Sequence, residues 1–174
     1  MFTGIIADTA PIISVLKRGS NLAVAARKPV QWKVKTGESV SVNGICSTIA
    51  SLATDAFLFE YMPETLRVTT AGSWRVGERV NLERSLRIGD ALDGHLVTGH
   101  IDGVGRVAAS VREGGAQLLK IEVPEEVFAL IAKKGSVAID GVSLTVADVC
   151  LPRRARRRRA GDCWFSVALI PYTL

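Results

Sequence analysis

The sequence predicts an all-β protein: a tandem duplication of small antiparallel β-barrels, about six strands each, with short helices. Three observations predict it. First, the chain of 174 residues writes one stretch twice: Ser39–Ile49 matches Ser136–Val146 at an offset of 97 positions, keeping Ser, Val, Gly and Thr and setting apolar residues on apolar ones. Two echoes keep the same order, Phe2–Ile6 against Val97–Ile101 and Pro63–Leu66 against Pro171–Leu174. Ordered echoes of this kind mark a duplicated unit. Second, strand-like runs are separated by turn signals at intervals of roughly ten residues, which suits a closed antiparallel barrel better than a layered α/β fold. Third, helical patterning in the second copy is confined to one segment.

In the first copy Met1–Ile6 is the candidate first strand. Pro11–Leu16 and Asn21–Ala26 are two more, joined by the turn-like Lys17-Arg18-Gly19-Ser20. Ser39–Ile49 alternates small or polar with apolar residues around Asn43-Gly44, a dipeptide that favours positive φ and so a tight turn or bulge. Phe57, Phe59 and Tyr61 recur every second residue, which places three aromatics on one face of a strand. Val76–Glu83 reads as turn then strand. Ile88–Gly94 is the joint, giving units at 1–90 and 91–174. In the second copy Pro124–Lys134 is the expected helix: Pro at its start, Glu125 and Glu126 at the positive end of its dipole, an apolar face of Val127, Phe128, Leu130 and Ile131, and Lys133-Lys134 before Gly135. Between Val149 and Trp164 the second copy holds about eleven more residues than the first. It stops at Leu174, whereas the first continues beyond Leu66 to Arg87, so the second barrel is expected to be incomplete with ladder groups unpaired at an edge.

Composition narrows the function classes. With 48% hydrophobic and 22% charged residues the chain is globular rather than disordered. The apolar window Ile5–Leu16 is broken by Asp8 and Pro11 and has no basic residues before it, unlike a signal peptide. No run approaches the roughly 20 apolar residues of a membrane span. Cys46, Cys150 and Cys163 are three cysteines without tight pairing, which favours a reducing cytoplasm over a disulfide framework. The net charge of +5 is concentrated in the arginines of 153–159, without which the chain is near neutral. That run reads as a solvated loop: no aromatics are interleaved to stack bases, so nucleic acid is an unfavoured partner. His95 and His100 have no acidic or cysteine partner at ligand spacing, which leaves no metal site to expect. The glycines of Gly99–Gly105 do not spell a dinucleotide fingerprint.

Where the copies differ, reactive residue types enter. Cys46 faces Ser143 in the alignment of the two copies, and Ile5 faces His100. Two like pockets that treat like molecules differently follow from that pattern. Taken alone, Cys46 reads more readily as a small buried apolar residue than as a nucleophile.

Longer motifs carry a resemblance. Met1-Phe2-Thr3-Gly4-Ile5-Ile6, Asn43-Gly44-Ile45-Cys46, Pro63-Glu64-Thr65-Leu66, Val80–Leu86, Gly94–Gly103 and Lys134–Val146 together resemble riboflavin synthase of the α-chain type, which is built from two lumazine-binding repeats. The resemblance runs from Met1 to about Val149 and resumes at Phe165–Leu174. It implies tandem six-stranded Greek-key barrels and a cofactor-free dismutation. Two molecules of 6,7-dimethyl-8-ribityllumazine exchange a four-carbon fragment to give riboflavin and 5-amino-6-ribitylamino-2,4-pyrimidinedione, the last step of riboflavin biosynthesis. It implies a cytoplasmic homotrimer in which the first barrel of one subunit meets the second barrel of its neighbour, and association with lumazine synthase. The duplication would supply the two like pockets such a reaction needs.

Carried over position by position, the resemblance implies substrate contacts at Gly4, Ile5 and Ile6; at Ile45, Cys46 and Ser47; at Glu60, Tyr61, Met62, Pro63, Glu64 and Thr65; at Gly99, His100 and Ile101; and at Lys134, Ser143, Leu144 and Thr145. It adds Ala168, Leu169, Ile170, Pro171, Tyr172 and Thr173. The chemistry requires proton removal from a ring methyl and addition of a nucleophile to the partner ring. His100, with Ser143 and Thr145, is the expected proton-handling group, and Cys46 is expected near the acceptor. Family members continue past the Leu174 position through a strand and a helix that supply an acidic residue and trimer contacts, Ser47 stands where Leu is usual, and the arginine-rich loop is an addition. The alternative is a non-catalytic lumazine- or flavin-binding protein on the same repeats.

Overall fold

Among the residues that the computed structural model describes, 1–150, 163–171 and 173, twelve strands alternate with short helical turns. The arginine run at 153–159 and Tyr172 lie outside the described residues. The chain divides into two units: Met1–Ile101 with Ala138–Ser143, and Asp102–Val137 with Leu144–Leu174.

The first unit is a curled sheet of β1 (Asp8–Arg18), β2 (Asn21–Arg27), β3 (Ser39–Val42), β4 (Ile45–Thr48), β5 (Ser51–Leu52), β6 (Ala56–Tyr61) and β7 (Arg79–Arg84). Its order is β4-β3-β7-β1-β2-β6-β5. The late strand β7 returns between β3 and β1, a Greek-key crossing, and β4 packs against β6 to curl the sheet toward a barrel. Five of the six expected strand runs are found, with Ser39–Ile49 divided into β3 and β4 and the two-residue β5 added; the exception is Met1–Ile6. The Asn43-Gly44 turn is as the dipeptide predicts. Asn43 at φ 46° and Gly44 at φ 82° form a two-residue loop that sets Val42 opposite Ile45.

The aromatic stripe forms the core. Phe57, Phe59 and Tyr61 are buried in a row, with ring centroids 5.6 and 6.5 Å apart, and Trp74 closes the row edge-on to Tyr61 at 5.7 Å. Val24, Val40, Val42, Val80 and Leu82 pack around them. Each such side chain contributes about 1.5–3 kcal/mol on burial.

Two expectations are corrected here. Met1–Ile6 is not a strand: only Phe2 makes a bridge, to Val97, and the chain turns at Gly4 with φ 78° before β1 begins. Pro124–Lys134 is helical only over Glu125–Phe128, as α2. A nucleus this short has little intrinsic stability, and Lys134 at φ 68° turns its amide onto the Val146 carbonyl at 2.9 Å. The first copy carries a helix α1, Pro63–Val68, opened by Pro63 with Glu64 in its first turn.

The second unit holds β8 (Arg106–Glu113), β9 (Ala116–Glu122), β12 (Trp164–Leu169), the first half of β10 (Ser136–Ile139) and β11 (Val142–Val149) from Leu144 on, in a sheet of order β10-β11-β12-β9-β8. Ile121, Val146, Phe165 and Val167 are its buried apolar centre. Five strands are described, and all eight residues of the edge strand β8 are exposed.

Candidate functional site

Two Thr-Gly turns and two hairpin tips lie together in the first unit. Thr3-Gly4 and Thr98-Gly99 have the same local form: Gly4 is at φ 78° and Gly99 at φ 79°. In each, the following amide, of Ile5 or His100, donates to the threonine hydroxyl, at 3.2 and 3.3 Å. The Gly4 carbonyl accepts the Ser143 amide at 2.7 Å, and the Gly99 carbonyl accepts the Cys46 amide at 2.9 Å. Each Thr-Gly turn therefore seats on a residue of the other sequence copy, Ser143 or Cys46. A Cβ at Gly4 would lie 2.6 Å from the Ser143 Cβ, and one at Gly99 2.7 Å from the Cys46 Cβ, so neither position has room for a side chain. The tips meet back to back: a Cβ on Gly44 would lie 2.8 Å from the Gly141 amide nitrogen, and one on Gly141 2.9 Å from that of Gly44.

The polar centre of this constellation is Ser143. Its Oγ lies 2.7 Å from His95 Nδ1. Burial lowers the His95 pKa below its ordinary value, which favours a neutral ring near pH 7. In the tautomer with Nδ1 unprotonated, the imidazole accepts the hydroxyl proton and leaves Oγ able to act on a bound molecule. Across the same region the Cys46 thiol is free and half-buried. The Asp140 backbone is held at φ 45° by Asn81, whose side-chain amide donates to the Asp140 carbonyl at 2.9 Å, and burial raises the Asp140 carboxyl pKa.

Comparison with known proteins bears directly on this geometry. A model described as "Lumazine binding domain" matches residues 3–85 and again 98–174. The riboflavin synthase of Brucella abortus is 40% identical over 156 residues, spanning 86% of this chain and 77% of that protein. The chain belongs to the riboflavin synthase family. The Mycobacterium bovis riboflavin synthase is 35% identical over 99% of this chain and 83% of its own length. Among solved structures, LumP with bound 6,7-dimethyl-8-(1'-D-ribityl) lumazine superposes with a TM-score of 0.80 at 22% identity, covering 98% of this chain and 87% of LumP. LumP with flavin mononucleotide gives 0.82 at 22% identity, covering 99% and 88%. At that identity the likeness establishes the fold.

The family's expected contact residues fall into distinct environments. Gly4, Ile45, Cys46, Gly99 and Ser143 are in the constellation just described, with Ile6 and Ile101 against its glycine tips. Ile5 and Met62 are large apolar side chains left 45% and 63% exposed. Glu60 is paired with Arg18 at 3.2 Å and Glu64 with Arg67 at 2.5 Å, while Pro63 and Thr65 belong to α1. Ser47 and Tyr61 face inward instead. The Ser47 hydroxyl donates to the Ile45 carbonyl at 3.0 Å and lies 2.8 Å from the Tyr61 hydroxyl, and burial drives the tyrosine pKa far up. Their side chains serve the core.

Lys134, Leu144, Thr145, Ala168, Leu169, Ile170, Pro171 and Thr173 belong to the second unit, where all but Leu144 and Leu169 are exposed. His100 is exposed, and Ser143 takes the other histidine as its partner. Sequence reasoning missed that pairing. It also missed Glu83, a buried carboxylate beneath the Thr3-Gly4 turn. No sequence signal marks Glu83: Arg79–Glu83 alternates polar and apolar residues and sets Glu83 opposite the face of Val80 and Leu82, yet it is buried. Beside that turn an open cleft of about 390 Å³ is lined by Thr3, Ile5, Arg84 and Arg87 among others. Among the described residues no cluster of His, Cys, Asp and Glu could hold a metal, and no helix is long and apolar enough to cross a membrane.

Proposed function

We propose that this chain is a riboflavin synthase that converts two molecules of 6,7-dimethyl-8-ribityllumazine into riboflavin and 5-amino-6-ribitylamino-2,4-pyrimidinedione. The balance is internal: one lumazine gives up a four-carbon fragment to the other, so what one loses the other gains, and no external oxidant or cofactor enters. The observation that carries the reading is the Ser143–His95 pair seated on the Thr3-Gly4 turn, in a chain whose motifs match riboflavin synthases along most of its length.

The sequence units 1–90 and 91–174 would each supply one lumazine pocket. Holding both substrates removes a bimolecular entropy cost worth up to roughly 7–11 kcal/mol. At Ser143 the neutral His95 accepts the hydroxyl proton as Oγ takes one from the acidic ring methyl, which leaves a carbanion on the donor lumazine. Cys46 is the nucleophile that adds to the partner ring and leaves as the new carbon bond forms. His100 and Thr145 are the remaining proton-handling groups. The Gly99 amide and the Thr98 hydroxyl match the polar edge of the ring and the ribityl chain, while the Gly4 amide and the Thr3 hydroxyl are held by Glu83. The active form is a cytoplasmic homotrimer, associating with lumazine synthase, with light scattering of the purified chain as the direct check of its mass.

Incubating the purified chain with 6,7-dimethyl-8-ribityllumazine and no added cofactor is the test. Riboflavin should appear with one pyrimidinedione released per riboflavin. Tight binding without turnover would replace this reading by that of a lumazine- or flavin-binding protein on the same fold.

A further inference from the structure

Beneath the Thr3-Gly4 turn lies a carboxylate that the reaction chemistry does not use. Glu83 sits near the end of β7, 5% exposed, and its contacts all go to one place. The Thr3 amide donates to its Oε1 at 2.6 Å, the Thr3 hydroxyl donates to the same oxygen at 2.7 Å, and the Gly4 amide donates to Oε2 at 3.0 Å. The other side of those same two peptides is also occupied. The Phe2 carbonyl accepts the Val97 amide at 3.0 Å, and the Thr3 carbonyl accepts the His95 amide at 3.0 Å.

Each peptide is thus gripped twice, its N–H by Glu83 and its C=O by the segment that carries His95. Hydrogen bonds to an ionised acceptor are short and roughly twice as strong as neutral ones. An amide whose N–H is drawn by a carboxylate also presents a more polarised carbonyl, so successive bonds reinforce one another. The chain of contacts runs from the Glu83 carboxylate through the Thr3–Gly4 peptide to the His95 backbone, and the His95 ring ends it at Ser143 Oγ. The Gly4 carbonyl holds the Ser143 amide from the same turn. Both members of the pair are therefore referred to one clamp.

We infer that Glu83 is a positioning residue: by gripping the Thr3 and Gly4 amides it fixes the separation of His95 and Ser143. Both of its carboxylate oxygens are taken up by the turn, so it acts through His95 and Ser143. The inference deepens the synthase reading and rests on it for its kinetic consequence.

Two readouts separate the two claims. Glu83→Gln keeps the size but replaces one acceptor oxygen by an NH2 group that faces an amide donor. In that variant kcat should fall at least tenfold while KM stays within threefold. The His95 Nδ1 nitrogen shift, assigned with His100→Gln since the chain has two histidines, should move as its bond to Ser143 loosens. Glu83→Asp, which keeps the charge but draws the oxygens back by one methylene, should show the same two changes to a smaller degree and serves alone if the glutamine variant does not fold. A purely structural glutamate would lower the melting temperature and leave kcat and the His95 signal unchanged in the folded fraction; that result overturns the inference. Should the parent chain lack turnover, the synthase reading fails by itself, and the nitrogen shift still decides the role of Glu83.

Discussion

Replacing Gly4 by alanine isolates the closest approach in the constellation. The new Cβ would sit 2.6 Å from the Ser143 Cβ and 2.9 Å from the Ser143 nitrogen, and the residue would have to hold φ 78°. A left-handed backbone costs a non-glycine residue about 1–2 kcal/mol. Displacing packed atoms adds roughly 1–3 kcal/mol. The sum, about 2–5 kcal/mol, is a large part of the 5–15 kcal/mol that holds a typical domain. Gly77→Ala is the control: it has φ 92° with nothing within 4 Å, so it carries the backbone cost alone. Urea unfolding followed by tryptophan fluorescence, in a Trp164→Phe background that leaves Trp32 and Trp74 to report on the first unit, measures both variants. With a slope of about 2 kcal/mol per molar, an extra 2 kcal/mol moves the Gly4→Ala midpoint about 1 M below the control. Equal midpoints for the two variants would refute the argument that Ser143 and Gly4 are in contact.

Four further outcomes are expected. Ser143→Ala and His95→Gln should each lower kcat by about 10²-fold or more, and the double variant should lose little beyond either single one, since the two act as a unit; steady-state rates read this directly. The His95 pKa is lowered in the folded chain, so the unfolded chain binds its proton first on acidification, and stability should decline as pH falls below the ordinary histidine value of 6.5. For the same reason the acid limb of kcat/KM should lie below 6.5, in a pH–rate profile from pH 5 to 8. Tyr61→Phe removes one partner of the Ser47 hydroxyl and leaves it the Ile45 carbonyl, which should cost roughly 1 kcal/mol in urea unfolding without altering turnover.

The parts of the fold legible in the sequence were those written in local chemistry. Asn43-Gly44 specifies its own turn, and Phe57, Phe59 and Tyr61 specify a buried face by period alone. What escaped was settled by partners distant in sequence. Met1–Ile6 has the composition of a strand, but Glu83 takes the Thr3 and Gly4 amides and the turn at Gly4 ends the run. Ser143 and His95 are 48 positions apart, and the matched motifs made His100 the more visible histidine. The helix expected over Pro124–Lys134 has good end signals, yet Leu130 is 70% exposed, so the apolar face that would extend it beyond Phe128 is not buried. Ser47 stands beside Cys46 in the matched motif, yet its side chain is buried against Tyr61, since neighbouring residues of a strand point to opposite faces.

The exchange of Thr-Gly turns and hairpin tips also orders events during synthesis. The first unit draws in Ala138–Ser143, which leave the ribosome well after Ile101. At about 5–20 residues per second the interval from Ile101 to Ala138 lasts roughly 2–7 s, long compared with hairpin formation in microseconds. During that wait the aromatic core can already assemble, while Gly4 and Gly44 still lack the neighbours that fill the space in front of them. The surface that later becomes the site is thus the last part of the first unit to be covered, and a newly made chain passes through seconds in which its Thr3-Gly4 turn is open to solvent and to other proteins.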